Sequence, residues 1–92
     1  MKILHTSDWH LGRSFGSISL HHDQVAFCNW LTDLVANEQI ELVVIAGDIY
    51  DRAIAPVESI ELFRTTIRDL RTTGATVAVI SGNHDGQIGR AH

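Results

Sequence analysis

Asp8, His10, Asp48, Asp51, Asn83, His84 and Asp85 are the residues of this chain best suited to chemistry. They fall in three short runs, Asp8-Trp9-His10, Gly47-Asp48-Ile49-Tyr50-Asp51 and Gly82-Asn83-His84-Asp85. Carboxylate, imidazole and amide oxygen form a borderline-hard donor set that suits Mn²⁺, Fe²⁺ or Zn²⁺. A carboxylate can also bridge two such ions about 3.5–4 Å apart, and a pair held that way activates water and clamps a phosphoryl group. Each run alone is compatible with an ordinary turn or helix cap, where Gly and Asp are favoured. Their joint occurrence points to metal, because three independent turns have no reason to carry these residue types in this order at three strand ends.

Those strand ends follow from the apolar pattern. Lys2 to Thr6 reads as a short strand, and Leu42 to Ala46 and Thr76 to Ile80 as two more, rich in β-branched residues. The last two hardly alternate, which suits strands flanked on both faces in a parallel sheet. Phe27, Cys28, Leu31, Leu34 and Val35 recur at helical spacing and predict a helix from about His22 to Asn37. Val57, Ile60, Phe63, Ile67 and Leu70 predict a second, with Pro56 suited to its first turn, Arg68 and Arg71 to its last, and Gly74 to its stop. Leu11 to Leu20 reads as a loop. The order is thus β-α-β-α-β, an α/β class whose economical solution is a parallel sheet with right-handed helical crossovers. Parallel strands bring all three polar runs to one edge, where open α/β sheets bind ligands.

Composition sets the outer bounds. The 92 residues are one domain at most, with a thin core. An apolar fraction of 45% fits a globular protein rather than a disordered one. No apolar run approaches the ~20 residues that cross a bilayer, and the start shows no signal-peptide pattern, so a cytoplasmic location with no membrane association is expected. Cys28 is the single cysteine, which excludes an internal disulfide and fits a reducing compartment. The net charge of -4 argues by itself against a nucleic-acid footprint. Setting aside Asp8, Asp48, Asp51 and Asp85 leaves the remaining acids and bases in balance, so the acidity is local, and bound divalent ions would reverse its sign.

Asp8-Xaa-His10, Gly47-Asp48-Xaa-Xaa-Asp51 and Gly82-Asn83-His84-Asp85 resemble the first three signatures of the calcineurin-like metallophosphoesterases. Within that family, the opening His5-Thr6-Ser7-Asp8-Trp9-His10-Leu11-Gly12 and the later Ala46-Gly47-Asp48-Ile49-Tyr50-Asp51 are most similar to bacterial nuclease subunits of the SbcD kind. The likeness covers nearly the whole chain. It implies that residues 1–92 are the N-terminal part of a metallophosphoesterase α/β sandwich, truncated before the family's later histidine signatures, among them Gly-His-Xaa-His. It also implies two divalent ions, Mn²⁺ foremost, with Asp8 and His10 on the first, Asp48 bridging and Asn83 on the second. His84 would contact the scissile phosphate or protonate the leaving oxygen. Asp51 would stand behind them and orient His84 or the phosphate, the alternative being a helix-capping acid. Asp85 would hold its loop, and Gly86 stands where SbcD-like sequences often have serine.

The activity so implied is metal-dependent hydrolysis of DNA phosphodiesters, as exonuclease or endonuclease, in repair, recombination and replication. Its partners would be DNA and an SbcC-type ATPase subunit, in a hetero-oligomer with room for a homodimer. Other phosphoesterases remain open, although phosphatases of the family generally carry Gly after the first histidine and this chain has Leu11. An inactive truncated gene product is the third reading, and the 92 residues alone are expected to be inactive. Elsewhere ordinary roles are expected: Cys28 as a core thiol, His5 as a hydrogen-bonded core histidine, His21 and His22 on a solvated helix face, Trp9 in packing. Arg13, Arg52 and Arg90 lie near the expected catalytic edge, as phosphate contacts or as plain surface charge. Two helices are expected to leave one apolar sheet face open.

Overall fold

The computed structural model describes residues 1–51 and 54–80. In chain order these form β1 (Ile3–Ser7), a small hairpin of β2 (Ser14–Phe15) and β3 (Ile18–Ser19), α1 (His21–Asn37), β4 (Leu42–Ala46), α2 (Val57–Thr72) and β5 (Thr76–Ile80). β1, β4 and β5 make a parallel sheet in that order, with Ile3 opposite Leu42 and Leu42 opposite Thr76. The β-α-β-α-β parallel architecture is therefore present, with β1 one residue further along than its apolar pattern suggests.

The segment expected to be plain loop instead folds back on itself. Phe15 pairs with Ile18 around Gly16 and Ser17, and Gly16 adopts a φ of 62°. A two-residue turn with positive φ at its first position alone is the type II′ hairpin, which glycine makes without strain. Strands of two residues carry no readable period, so only the glycine marked this turn.

Both helices lie on one face of the sheet. They pack on each other as well as on the strands, the result expected when two crossovers of the same hand run the same way across a sheet. The register then sorts the side chains. Leu4, Val43, Ile45 and Val77 join the core beneath the helices, Val43 and Ile45 being wholly buried, against Cys28, Leu31 and Val35 of α1 and Leu70 of α2. Ile3, His5, Leu42, Val44, Ala78 and Ile80 belong to the other face, which neither of the described helices covers. His5 is accordingly exposed rather than a core histidine, because its strand position alternates away from Leu4 and Thr6. Cys28 is buried, as its place on the helix stripe indicated.

The helix ends explain where the chain turns. α1 closes in a Schellman motif: Ile40 N–H donates to the Val35 carbonyl at 3.0 Å and Gln39 N–H to Ala36 at 3.3 Å, with Gln39 at a φ of 54°. α2 begins after Pro56, which serves as its N-cap residue rather than within its first turn, and it stops before Gly74. No helix among the described residues is long and apolar enough to cross a membrane.

Candidate metal centre

Beyond the ends of β1 and β4 the two segments keep their pairing instead of diverging. His10 N–H donates to the Asp48 carbonyl at 2.9 Å, Leu11 N–H to Ile49 at 2.8 Å, and Asp51 N–H to Leu11 at 2.9 Å. Gly47 N–H reaches the Ile80 carbonyl at 2.8 Å, so all three strands meet at the base of these loops. Asp8, His10 and Asp48 adopt φ values of 58°, 50° and 40°. Left-handed backbone costs a non-glycine residue about 1–2 kcal/mol, and strain of this kind persists where the surroundings impose it, commonly at functional sites. Here the cross-loop hydrogen bonds impose it.

The consequence is convergence. One donor atom each from Asp8, His10 and Asp48 lies within 4.8 Å of the others. Ligands about 2.0–2.2 Å from a single tetrahedral ion stand about 3.3–3.6 Å apart, so closing this triad on a cation requires side-chain movements of about an ångström at most. Two carboxylates and an imidazole also suit a divalent transition ion chemically. The residues present therefore fit a divalent cation.

His10 shows how the ring is aimed. Its Nδ1 lies 3.3 Å from Asp51 Oδ1, a close approach whose direction falls short of a good hydrogen bond, while Nε2 lies 4.0 Å from Asp8 Oδ1. Nε2 is thus the nitrogen on the ligand side, and Asp51 backs the ring from behind, the arrangement usual for metal-binding histidines. The same Asp51 Oδ1 accepts from Arg13 Nε at 3.1 Å. Arg13 is therefore committed to an ion pair. Asp51 does not cap α2, whose N-cap is Pro56.

Aromatic packing holds the loops from below. Trp9, buried between the two candidate ligands, donates from Nε1 to Thr6 Oγ1 at 2.9 Å and meets Phe27 and Phe63 edge-on at 5.4 and 5.9 Å. Tyr50 meets Phe63 likewise at 5.8 Å. Gly12, at a φ of 94°, lets α2 approach: a Cβ there would lie 3.0 Å from Pro56 Cδ and 3.2 Å from Ser59 Oγ. An open cavity of about 410 Å³ lies beside the triad, bounded by Asp8, His10, Arg13, Gln24 and Phe27 among others.

Of the residues singled out from sequence, Asp8, His10 and Asp48 come together and Asp51 stands directly behind His10. Asn83, His84, Asp85, Arg52 and Arg90 lie outside the described residues. Sequence reasoning missed Gln24, whose side-chain amide bonds the His10–Gly12 backbone. A signal existed: Gln24 continues the buried stripe of Cys28, Leu31 and Val35 one turn earlier, a polar residue where an apolar one is expected.

A family model described as Calcineurin-like phosphoesterase matches residues 1–92. The chain is 39% identical over 85 residues to the SbcD subunit of nuclease SbcCD from Escherichia coli (strain K12), covering 92% of this chain and 21% of that protein. It is 41% identical over 88 residues to the protein of the same name from Staphylococcus epidermidis, covering 95% of this chain and 24% of that one. For the Bacillus subtilis (strain 168) relative the identity is 38% over 86 residues, with coverage of 92% and 22%. The chain thus spans about a fifth to a quarter of the length of the curated relatives it matches.

Proposed function

The chain belongs to the calcineurin-like phosphoesterase family, and on that premise we propose that it supplies the first half of the catalytic centre of a metal-dependent DNA nuclease subunit. The observation that carries this reading is the convergence of Asp8, His10 and Asp48 at the joined ends of β1 and β4. Residues 1–92 are then part of a nuclease domain, as their match to a fraction of longer nuclease subunits supports.

Asp8, His10 and Asp48 would hold one divalent ion, and Asp48 together with the Asn83 amide would serve a second. Mn²⁺ is the first candidate for both. When bound, such ions withdraw charge from phosphoryl oxygens and lower the pKa of water. Asp51 keeps the His10 ring oriented through Nδ1. His84 donates a proton to the leaving oxygen of the cleaved phosphodiester. An SbcC-type ATPase subunit is the partner, the SbcCD in the relatives' name supporting a C subunit beside the D subunit, and the cytoplasm is the compartment, in the service of DNA repair, recombination and replication.

The test uses the complete protein, a labelled linear duplex and Mn²⁺. Asp48→Ala is expected to lose both Mn²⁺ binding and cleavage, and His84→Ala to lose cleavage while keeping its metal. Turnover of p-nitrophenyl phosphate with the duplex left intact would reassign the protein to the phosphomonoesterases. The 92 residues alone are expected to give no measurable cleavage, since the second ion would rest on Asp48 and Asn83 only; clear cleavage by them that Asp48→Ala removes would show that the site needs nothing more.

A further inference from the structure

Gln24 stands on the first turn of α1 and uses both ends of its side-chain amide on the loop that carries Asp8 and His10. Its Oε1 accepts from Gly12 N–H at 3.1 Å, and its Nε2 donates to the His10 carbonyl at 3.1 Å. The partners fix which end is which, because a backbone N–H can only donate and a carbonyl can only accept. His10 is consequently held on both sides of its left-handed φ: its N–H by the Asp48 carbonyl, its carbonyl by Gln24 and by Arg13 N–H at 3.1 Å. The edge contact of Trp9 with Phe27 also links this loop to α1, but an apolar contact fixes a ring and leaves the peptide planes free to rotate.

We propose that Gln24 is a positioning residue for the cation centre, tying the His10–Gly12 backbone to α1 so that Asp8 and His10 stay aimed at Asp48. The proposal rests on the reading of those three residues as ligands. The cross-loop bonds to Asp48 and Ile49 hold this backbone on the β4 side and the two Gln24 bonds hold it on the α1 side, so without Gln24 the loop is fixed on one side only and the Asp8 and His10 donors can shift relative to Asp48. Gln24 touches neither ion nor substrate; it acts through the peptide planes of residues 10 and 12.

The experiment is a Mn²⁺ titration followed by electron paramagnetic resonance on the complete protein, comparing the parent with Gln24→Met, Gln24→Asn and Asp48→Ala. Thermal midpoint and Gly12 amide exchange are measured alongside, without metal. Gln24→Met keeps length and shape but forms neither bond, and is expected to bind Mn²⁺ about tenfold more weakly, as for other residues that support metal ligands. Its Gly12 amide should exchange faster. Gln24→Asn, one methylene too short to reach both groups, should fall between Met and the parent, and carries the comparison if Gln24→Met does not fold. A lowered midpoint with Mn²⁺ affinity within twofold of the parent would assign Gln24 to stability alone and overturn the proposal. If the parent shows no saturable Mn²⁺ binding, or Asp48→Ala binds as the parent does, the metal reading fails and takes the proposal with it.

Discussion

Asp51 Oδ1 faces two nitrogens, His10 Nδ1 at 3.3 Å and Arg13 Nε at 3.1 Å, and the two contacts differ in consequence. The Arg13 pair is half exposed and worth at most about 1 kcal/mol; the His10 contact, short of a hydrogen bond, places a carboxylate behind a candidate ligand. Asp51→Asn is therefore expected to weaken Mn²⁺ binding about 10–100-fold with little change in the urea midpoint, and a titration showing less than a threefold change would limit Asp51 to its arginine. Cys28 is a second residue with a measurable signature. Burial pushes its thiol above the ordinary value, and a hydrogen bond with Thr66 pulls it partly back. A raised folded-state pKa contributes stability that is complete below the unfolded value of about 8.5 and is lost as pH rises through the folded value. Urea midpoints of the parent should thus fall above about pH 8.5 more steeply than those of Cys28→Ala; parallel pH profiles would count against it. The candidate ligands themselves were legible by type and spacing. Their left-handed backbones were not, because hydrogen bonds between residues some 40 positions apart impose them.

Among the elements, α1 ends with a left-handed Gln39 at the position where glycine is usual. Relief of the Cβ strain, about 1–2 kcal/mol, exceeds the extra entropy glycine loses on folding, about 0.5–1 kcal/mol. Gln39→Gly is expected to stabilise the chain by about 0.5–1 kcal/mol in urea unfolding, and a destabilisation would show that the Gln39 side chain makes a contact of its own. β4 and β5 were readable to the residue because Leu42 to Ala46 and Thr76 to Ile80 are apolar runs with clear punctuation. The β2–β3 hairpin was hidden by its brevity. His5 was misjudged for a different reason: sequence alternation tells which residues share a face but not which face the helices take. Asn83 and His84 were read from motif alone and lie outside the described residues.

Among the described residues, the one-sided arrangement leaves Ile3 and Ile80 each 57% exposed at opposite ends of the sheet face away from the helices, with Leu42 and Val44 between. Contiguous apolar surface of this kind favours association. The 92-residue chain is expected to self-associate in sedimentation velocity, and Val44→Lys, at the centre of that face, to shift it toward monomer; a parent that stays monomeric at high concentration would sink this expectation. The parallel pairing of β1 with β4 also sets an order of assembly during synthesis. At about 5–20 residues per second, the ribosome needs roughly 0.5–2 s to pass from Asn37 at the end of α1 to Asp48, whereas a helix forms within about a microsecond. α1 and Gln24 are therefore available to the nascent chain long before β4 exists. The first fixed neighbour of the Asp8–His10 loop can be the helix, with the sheet and the third ligand arriving to a loop already held.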